Sequence, residues 1–305
     1  MENSPQTQLT GFVHPRAGRL QGAHQTARDE QNRDMSDQRA MTNAGVMLAS
    51  HTTMPLLGLG TWQARGRSAV DAVRRALELG YRHIDTATAY GNERQVGQAV
   101  GESGVPREEI FLTTKLPPDR AGRERATLAD SLDALGVDYI DLWLIHWPPS
   151  GGARPDVWER LLEVQAEGLA REVGVSNYSV RQIDELERAT GRLPTVNQIE
   201  WSPTLFDRDV LAEHRRRGVQ LEGYSPLKTT NLSDRRLVWI AEKRGVTPAQ
   251  VVLRWHIEHR IVAIPKSTNA QRIAENADIF SFELTPAEVE QLDRLGEPQP
   301  DVPVN

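Results

Sequence analysis

From Leu56 onward one two-part pattern recurs along the chain: a short apolar run, then an amphipathic stretch of roughly 11 to 16 residues. The first run lies near Leu56 to Gly60. The others are "RHIDTA", "IFLTTK", "IDLWLIHW", "REVGVSN", "TVNQIE", "VQLEGYSP" and "RIVAIPKS", making eight. Strands joined through helix-sized segments must run parallel, and a parallel sheet needs cover from its helices, so the pattern leaves few folds open. The helical patterns run from "SAVDAVRRALELG" to "LSDRRLVWIAEKRG", and several stop at a glycine, the residue favoured just past a helix end. Eight strand-helix units in about 240 residues predict a (β/α)8 TIM barrel of the α/β class. An open doubly wound sheet fits less well, because it has fewer strands and a glycine-rich first turn, and no G-x-G-x-x-G occurs.

Ahead of the barrel, "AGVMLASHTTMPLLGLGTW" alternates like a strand pair and carries glycine turns, which predicts a β-hairpin cap. Residues 1–42 are polar, mix both charge signs and show no period, so they are expected to form a disordered extension. Residues 43–305 are then a single barrel domain. With 38% hydrophobic residues in 305 the chain can fill a sizeable core. A formal net charge of -6 argues against general affinity for nucleic acid or anionic membrane. The absence of cysteine excludes disulfides, thiolate metal sites and cysteine nucleophiles. No segment has the length and apolarity of a membrane span or a secretory leader, so the expectation is a cytoplasmic monomer acting on a small molecule.

Polarity within the strands carries the functional signal. Each run starts apolar and ends polar, at Asp85, Lys115, His146, Ser176 and Asn177, Gln198, Tyr224 and Ser225, Lys266 and Ser267. In a barrel these ends share one face, where active sites of the fold lie. Taken singly, Asp85 reads as a helix cap, His146 as a core histidine and Tyr90 as a packing residue. Together with Lys115 they make one mechanism. A nearby ammonium favours the phenolate of Tyr90 and is expected to lower its pKa. Lys115 would lose its own proton on burial unless an anion compensated it, and Asp85 can do so. His146 can donate a hydrogen bond to an oxygen that takes the proton of Tyr90. That is the chemistry of carbonyl reduction, and it calls for no metal.

The segments "GYRHIDTATAYGNE", "LWLIHWP", "GVSNY", "NQIE", "YSPL" and "IPKSTNAQRIAEN" stand in an order and spacing that resembles the aldo-keto reductases. The resemblance is to the bacterial type with a short C-terminal loop, and spans roughly residues 45 to 295. It implies an NADP(H)-dependent oxidoreductase in which Asp85, Tyr90, Lys115 and His146 match the catalytic tetrad. It also implies that Ser176, Asn177 and Gln198 hold the nicotinamide carboxamide, while Tyr224 stacks on the ring. Ser225, Pro226 and Leu227 match a loop covering the pyrophosphate, and Gly60, Thr61, Trp62 and Asp85 match further cofactor contacts. Trp62 and Trp147, with Tyr90 and His146, match substrate-pocket positions. Glu275 and Asn276 match adenine contacts.

The preference for NADP over NAD rests on "KSTNAQR". Lys266 leaves the last strand and Arg272 follows on the first turns of a helix expected to begin near Asn269. With the hydroxyls of Ser267 and Thr268 they can surround a dianionic 2′-phosphate. Two departures bear on the pocket: "LPPDRAG" stands where many relatives carry a tryptophan and a longer loop, and Lys228 replaces a common glycine. A more open pocket for small or sugar-like carbonyl compounds is expected. The alternatives are a non-catalytic NADPH-binding regulatory subunit of the same fold and a glycoside hydrolase. The second needs paired carboxylates, and Glu200 is the only acid offered as a partner for Asp85.

Overall fold

The computed structural model describes Met1 and residues 44–297. The extension expected over residues 1–42 therefore lies, but for Met1, outside the described residues, as does the tail after Glu297. Strands β1 (Gly45–Met47) and β2 (Thr53–Pro55) pair antiparallel with Val46 opposite Met54, which is the expected hairpin. Val46 and Met54 point inward and are buried, the period-two alternation of a half-buried strand.

Eight parallel strands follow: β3 (Leu59–Gly60), β4 (His83–Asp85), β5 (Phe111–Leu116), β6 (Ile140–Ile145), β7 (Ala170–Ser176), β8 (Val196–Glu200), β9 (Gln220–Tyr224) and β10 (Val262–Ile264). Each pairs with its sequence neighbours in parallel register. The ring closes where the Gly58 N–H donates to the Ala263 carbonyl at 2.9 Å and the Ala263 N–H to the Leu56 carbonyl at 2.9 Å. The first strand expected over Leu56 to Gly60 is thus shared: Leu59 and Gly60 ladder with β4, while Leu56 to Gly58 complete the seam with β10.

The outer ring is built from helices α1 (Gly66–Glu78), α2 (Glu93–Glu102), α3 (Glu124–Leu135), α4 (Pro155–Ala166), α5 (Val180–Thr190) and α6 (Arg208–Arg217). It continues with α7 (Arg235–Arg244), α8 (Pro248–Glu258), α9 (Ala270–Ala277) and α10 (Pro286–Asp293). In α1 the buried face is Ala69, Val70, Ala72, Val73, Ala76 and Leu77, a stripe at helical spacing. Burying a side chain such as Val73 or Leu77 contributes about 1.5–3 kcal/mol. Helix α3 stops at Gly136 and α5 at Gly191, whose φ values of 66° and 69° lie in the left-handed region that favours glycine. No helix among the described residues is long and apolar enough to cross a membrane.

Candidate active site

The C-terminal ends of the parallel strands open onto a cavity of about 480 Å³ lined by Asp85, Tyr90, His146, Asn177, Gln198 and Tyr224 among others. Lys115, on β5, lies beneath it and is fully buried. Its ammonium donates to both Asp85 carboxylate oxygens at 2.7 Å and to the Thr86 carbonyl at 2.8 Å. Those contacts hold the ammonium between β4 and β5. Its Nζ also lies 5.2 Å from the Tyr90 ring centroid, close enough to act on the phenol by charge and by hydrogen bonding. Tyr90 closes a single turn of 3₁₀ helix over Thr88–Tyr90, which ends on Gly91 at φ 66°. The Thr88 hydroxyl donates to the Lys115 carbonyl at 3.0 Å and pins this turn to β5. The Tyr90 and His146 rings meet edge to face, with centroids 5.6 Å apart.

The electrostatics confirm one expectation and reverse another. Burial would lower the Lys115 pKa, but Asp85, with Tyr90 and Glu222, holds it above the ordinary lysine value, so the ammonium is kept. The Tyr90 phenol was expected below its ordinary value; it lies above it. Burial is the largest cause and outweighs the downward pull of Lys115, while Asp85 adds to the rise. Tyr90 is therefore a protonated phenol at neutral pH. Burial, and then Lys115, lowers His146 to about 3, so its imidazole is neutral. A neutral imidazole keeps one N–H to donate.

Across the cavity, the Ser176 hydroxyl donates to the Gln198 carbonyl at 2.8 Å. Asn177, at φ 63°, donates to Ser176 Oγ at 3.0 Å and to the His146 carbonyl at 3.2 Å, and accepts from the Tyr224 hydroxyl at 3.0 Å. The amide of Gln198 donates to Asp85 Oδ2 and to Glu222 Oε2, both at 2.9 Å. Gln198 Oε1 takes no hydrogen bond from a described residue and belongs to a side chain that lines the cavity. Gly60, Trp62, Ser225 and Lys266 also line it, with Trp147. Trp62 and Trp147 are 51% and 49% exposed and flank the opening. Thr61 is buried and donates to the Asp85 carbonyl. Pro226 and Leu227 continue the loop from Ser225 without lining the cavity.

Beyond the rim, Asn269 caps α9 by accepting from the Arg272 N–H at 3.0 Å, so the helix begins where the sequence placed it. Lys266 and Arg272 are exposed and form no ion pair among the described residues. Ser267 Oγ turns toward the same loop and accepts from the Asn269 N–H. Thr268 is exposed, Glu275 half-buried and Asn276 buried on the following helix. None of Ser267, Thr268, Arg272, Glu275 and Asn276 lines the cavity itself. Free cations at a helix start, with a free acceptor oxygen at the cavity, suit a dinucleotide carrying an extra phosphate.

Sequence reasoning missed two groups, Asn92 and Glu222, and the pairing of two others that it named. Asn92 ties the loops together, donating to the Thr61 and Ala64 carbonyls and accepting from the Thr86 hydroxyl at 2.7 Å. Lys228 pairs with Glu200 at 3.2 Å on the rim, so Glu200 is not a partner for Asp85. Glu222, fully buried, joins Asp85 through Gln198 and is the acid that the strand-end pattern overlooked. A charge inside "VQLEGYSP" was the available signal.

A family model described as the aldo/keto reductase family matches residues 56–297. The chain is 42% identical to the methylglyoxal reductase DkgA of Escherichia coli K12 over 266 residues, covering 84% of this chain and 96% of the relative. A crystal structure of an aldo/keto reductase from Brucella melitensis superposes with a TM-score of 0.80 at 40% identity, covering 84% of this chain and 98% of that one. An aldo-keto reductase of Bombyx mori solved in complex with NADP gives 0.78 at 36% identity, covering 83% and 93%.

Proposed function

The chain belongs to the aldo/keto reductase family and is an NADP(H)-dependent oxidoreductase that reduces carbonyl groups; on that premise we propose that Tyr90 is its proton donor. Bound NADPH supplies the hydride that adds to the carbonyl carbon. The neutral His146 donates a hydrogen bond to the carbonyl oxygen and fixes its direction. As negative charge grows on that oxygen, the Tyr90 phenol gives up its proton to it. The phenolate left behind is stabilised by the Lys115 ammonium, which Asp85 keeps charged, and is reprotonated from water. The observation that carries this reading is the buried Lys115–Asp85 pair placed directly under Tyr90 and His146 at a single cavity.

Ser176, Asn177, Gln198 and Tyr224 are assigned to the nicotinamide. Gly60, Thr61, Trp62 and the loop Ser225, Pro226 and Leu227 are assigned to the rest of the dinucleotide within the barrel mouth. Lys266, Ser267, Thr268 and Arg272 are assigned to the 2′-phosphate, with Glu275 and Asn276 to the adenine. The substrate lies between Trp62 and Trp147, and small aldehydes and sugar-like carbonyl compounds are its class, in keeping with the relative named a methylglyoxal reductase. The activity belongs to residues 43–305 as one barrel domain, acting as a cytoplasmic monomer. A regulatory subunit without turnover is not favoured, because all four groups of the proton-transfer set are present and in contact.

Replacing Tyr90 by Phe tests the assignment. NADPH oxidation with methylglyoxal should fall about a hundredfold to ten-thousandfold, the range for loss of a general acid. NADPH affinity by cofactor fluorescence should stay within about twofold, since the phenol oxygen faces the substrate. Retained turnover would take Tyr90 out of the acid role.

A further inference from the structure

A carboxylate held inside a protein needs compensation, because burial strongly disfavours its charge. Asp85 has it in Lys115. Glu222 feels Lys115 only at a distance and has no cation in contact: it is fully buried, its Oε1 has no hydrogen-bond partner among the described residues, and His83 Nε2 stands 3.6 Å away, too far for one. Among the described residues, the one hydrogen bond to its side chain comes from Gln198, its neighbour in strand register across β8 and β9. Glu222 lies below the cavity and does not line it.

The consequence falls on Gln198. A side-chain amide can be turned either way, and its surroundings decide which end faces where. Here both amide hydrogens are claimed by carboxylates, Asp85 Oδ2 from β4 and Glu222 Oε2 from β9, each at 2.9 Å. Turning the group over would bring its carbonyl oxygen against two acids at once. With the NH₂ end held below, Oε1 is the end left for a ligand, and it can only accept. Asp85 alone supplies one of the two holding contacts, and its oxygens are already shared with Lys115. Glu222 supplies the second.

We propose that Glu222 is a positioning residue: by anchoring the Gln198 amide it presents Oε1 as the acceptor for the carboxamide NH₂ of nicotinamide, and so sets how the ring lies over the cavity. This rests on the nicotinamide placement proposed above. Burial, and then the nearby Asp85 charge, raise the Glu222 pKa above the ordinary glutamate value. The contact that anchors the amide is geometric: Glu222 Oε2 accepts from Gln198 at 2.9 Å.

The test uses the full chain and two probes, NADP⁺ and adenosine 2′,5′-bisphosphate, which lacks nicotinamide. Glu222→Met, close in volume and without an acceptor, should weaken NADP⁺ about tenfold while changing the bisphosphate by less than about twofold, as measured by titration calorimetry. Glu222→Gln keeps an acceptor without the charge and should hold NADP⁺ within about threefold of wild type. If Glu222→Met fails to fold, Gln198→Met and the double variant Gln198→Met/Glu222→Gln take its place. The first should lose NADP⁺ affinity selectively, and adding Glu222→Gln should cost less than about twofold more. Equal loss of both probes, no loss of either, or a loss in Glu222→Gln as large as in Glu222→Met would overturn the proposal. Failure of the wild type to bind NADP⁺ would overturn the cofactor placement instead.

Discussion

Lys115 is a cation in the middle of a protein, and the charge it carries at any pH is set by its neighbours. Two forces act on it in opposite directions: burial favours the neutral amine, and Asp85 favours the ammonium. In the native arrangement the anion prevails and the lysine stays charged above its ordinary titration range. Asp85→Asn removes that anion and leaves burial unopposed, so the Lys115 pKa drops. Turnover should then fall about a hundredfold to a thousandfold, as for loss of a preorganised charge at the reacting oxygen. The alkaline limb of the kcat profile should move to lower pH, because activity is lost as pH rises through the lowered lysine value. A kcat profile with an unmoved limb would mean that Asp85 does not govern Lys115. At this scale the sequence was readable wherever a polar residue ended an apolar run, as at Asp85, Lys115 and His146. It was not readable for the direction of Tyr90, where burial had to be weighed against Lys115, nor for Glu222, since a charge inside a strand is read as facing out until its register with Gln198 is known.

The elements that carry the site differ in how plainly they were written. Helix α9 announced itself through Asn269, a capping residue followed by an amphipathic turn, and the cap is present. Its first turn carries Arg272 with no acidic partner among the described residues, which leaves the guanidinium free for a phosphate dianion. Arg272→Ala should weaken NADPH about tenfold to a hundredfold and leave NADH within about twofold, because a charge-assisted pair is lost only where the 2′-phosphate exists. Equal losses in the two titrations would place that phosphate elsewhere. Helix α8 was absent from the expected pattern for a physical reason: Gln250 to Ile257 are all buried, so its apolar face and its polar face are not distinguished by exposure. A helix wrapped on every side shows no stripe, and its signals were its ends, Thr247 with Gln250 as a capping box and Pro248 at the first position.

The molecule as a whole depends on a ring that closes, and the seam is narrow. Gly58 sits where β10 meets the start of the barrel, and a Cβ there would lie 2.7 Å from His83 Nδ1 and 2.9 Å from Ile264 Cγ2. Gly58→Ala should therefore cost about 1–3 kcal/mol through overpacking, seen as a lower urea midpoint with an unchanged m-value. Full stability would show that the seam yields. At the opposite end from the active site, the hairpin β1–β2 covers the barrel: Thr52 donates to Glu172 Oε1 at 2.6 Å, Ser50 contacts the same oxygen, and Val46 and Met54 turn their side chains inward. A vessel stoppered at its base has one doorway, and traffic through a single doorway forms a queue. On the placement proposed above, the guest against Gln198 would enter before the one between Trp62 and Trp147 and leave after it.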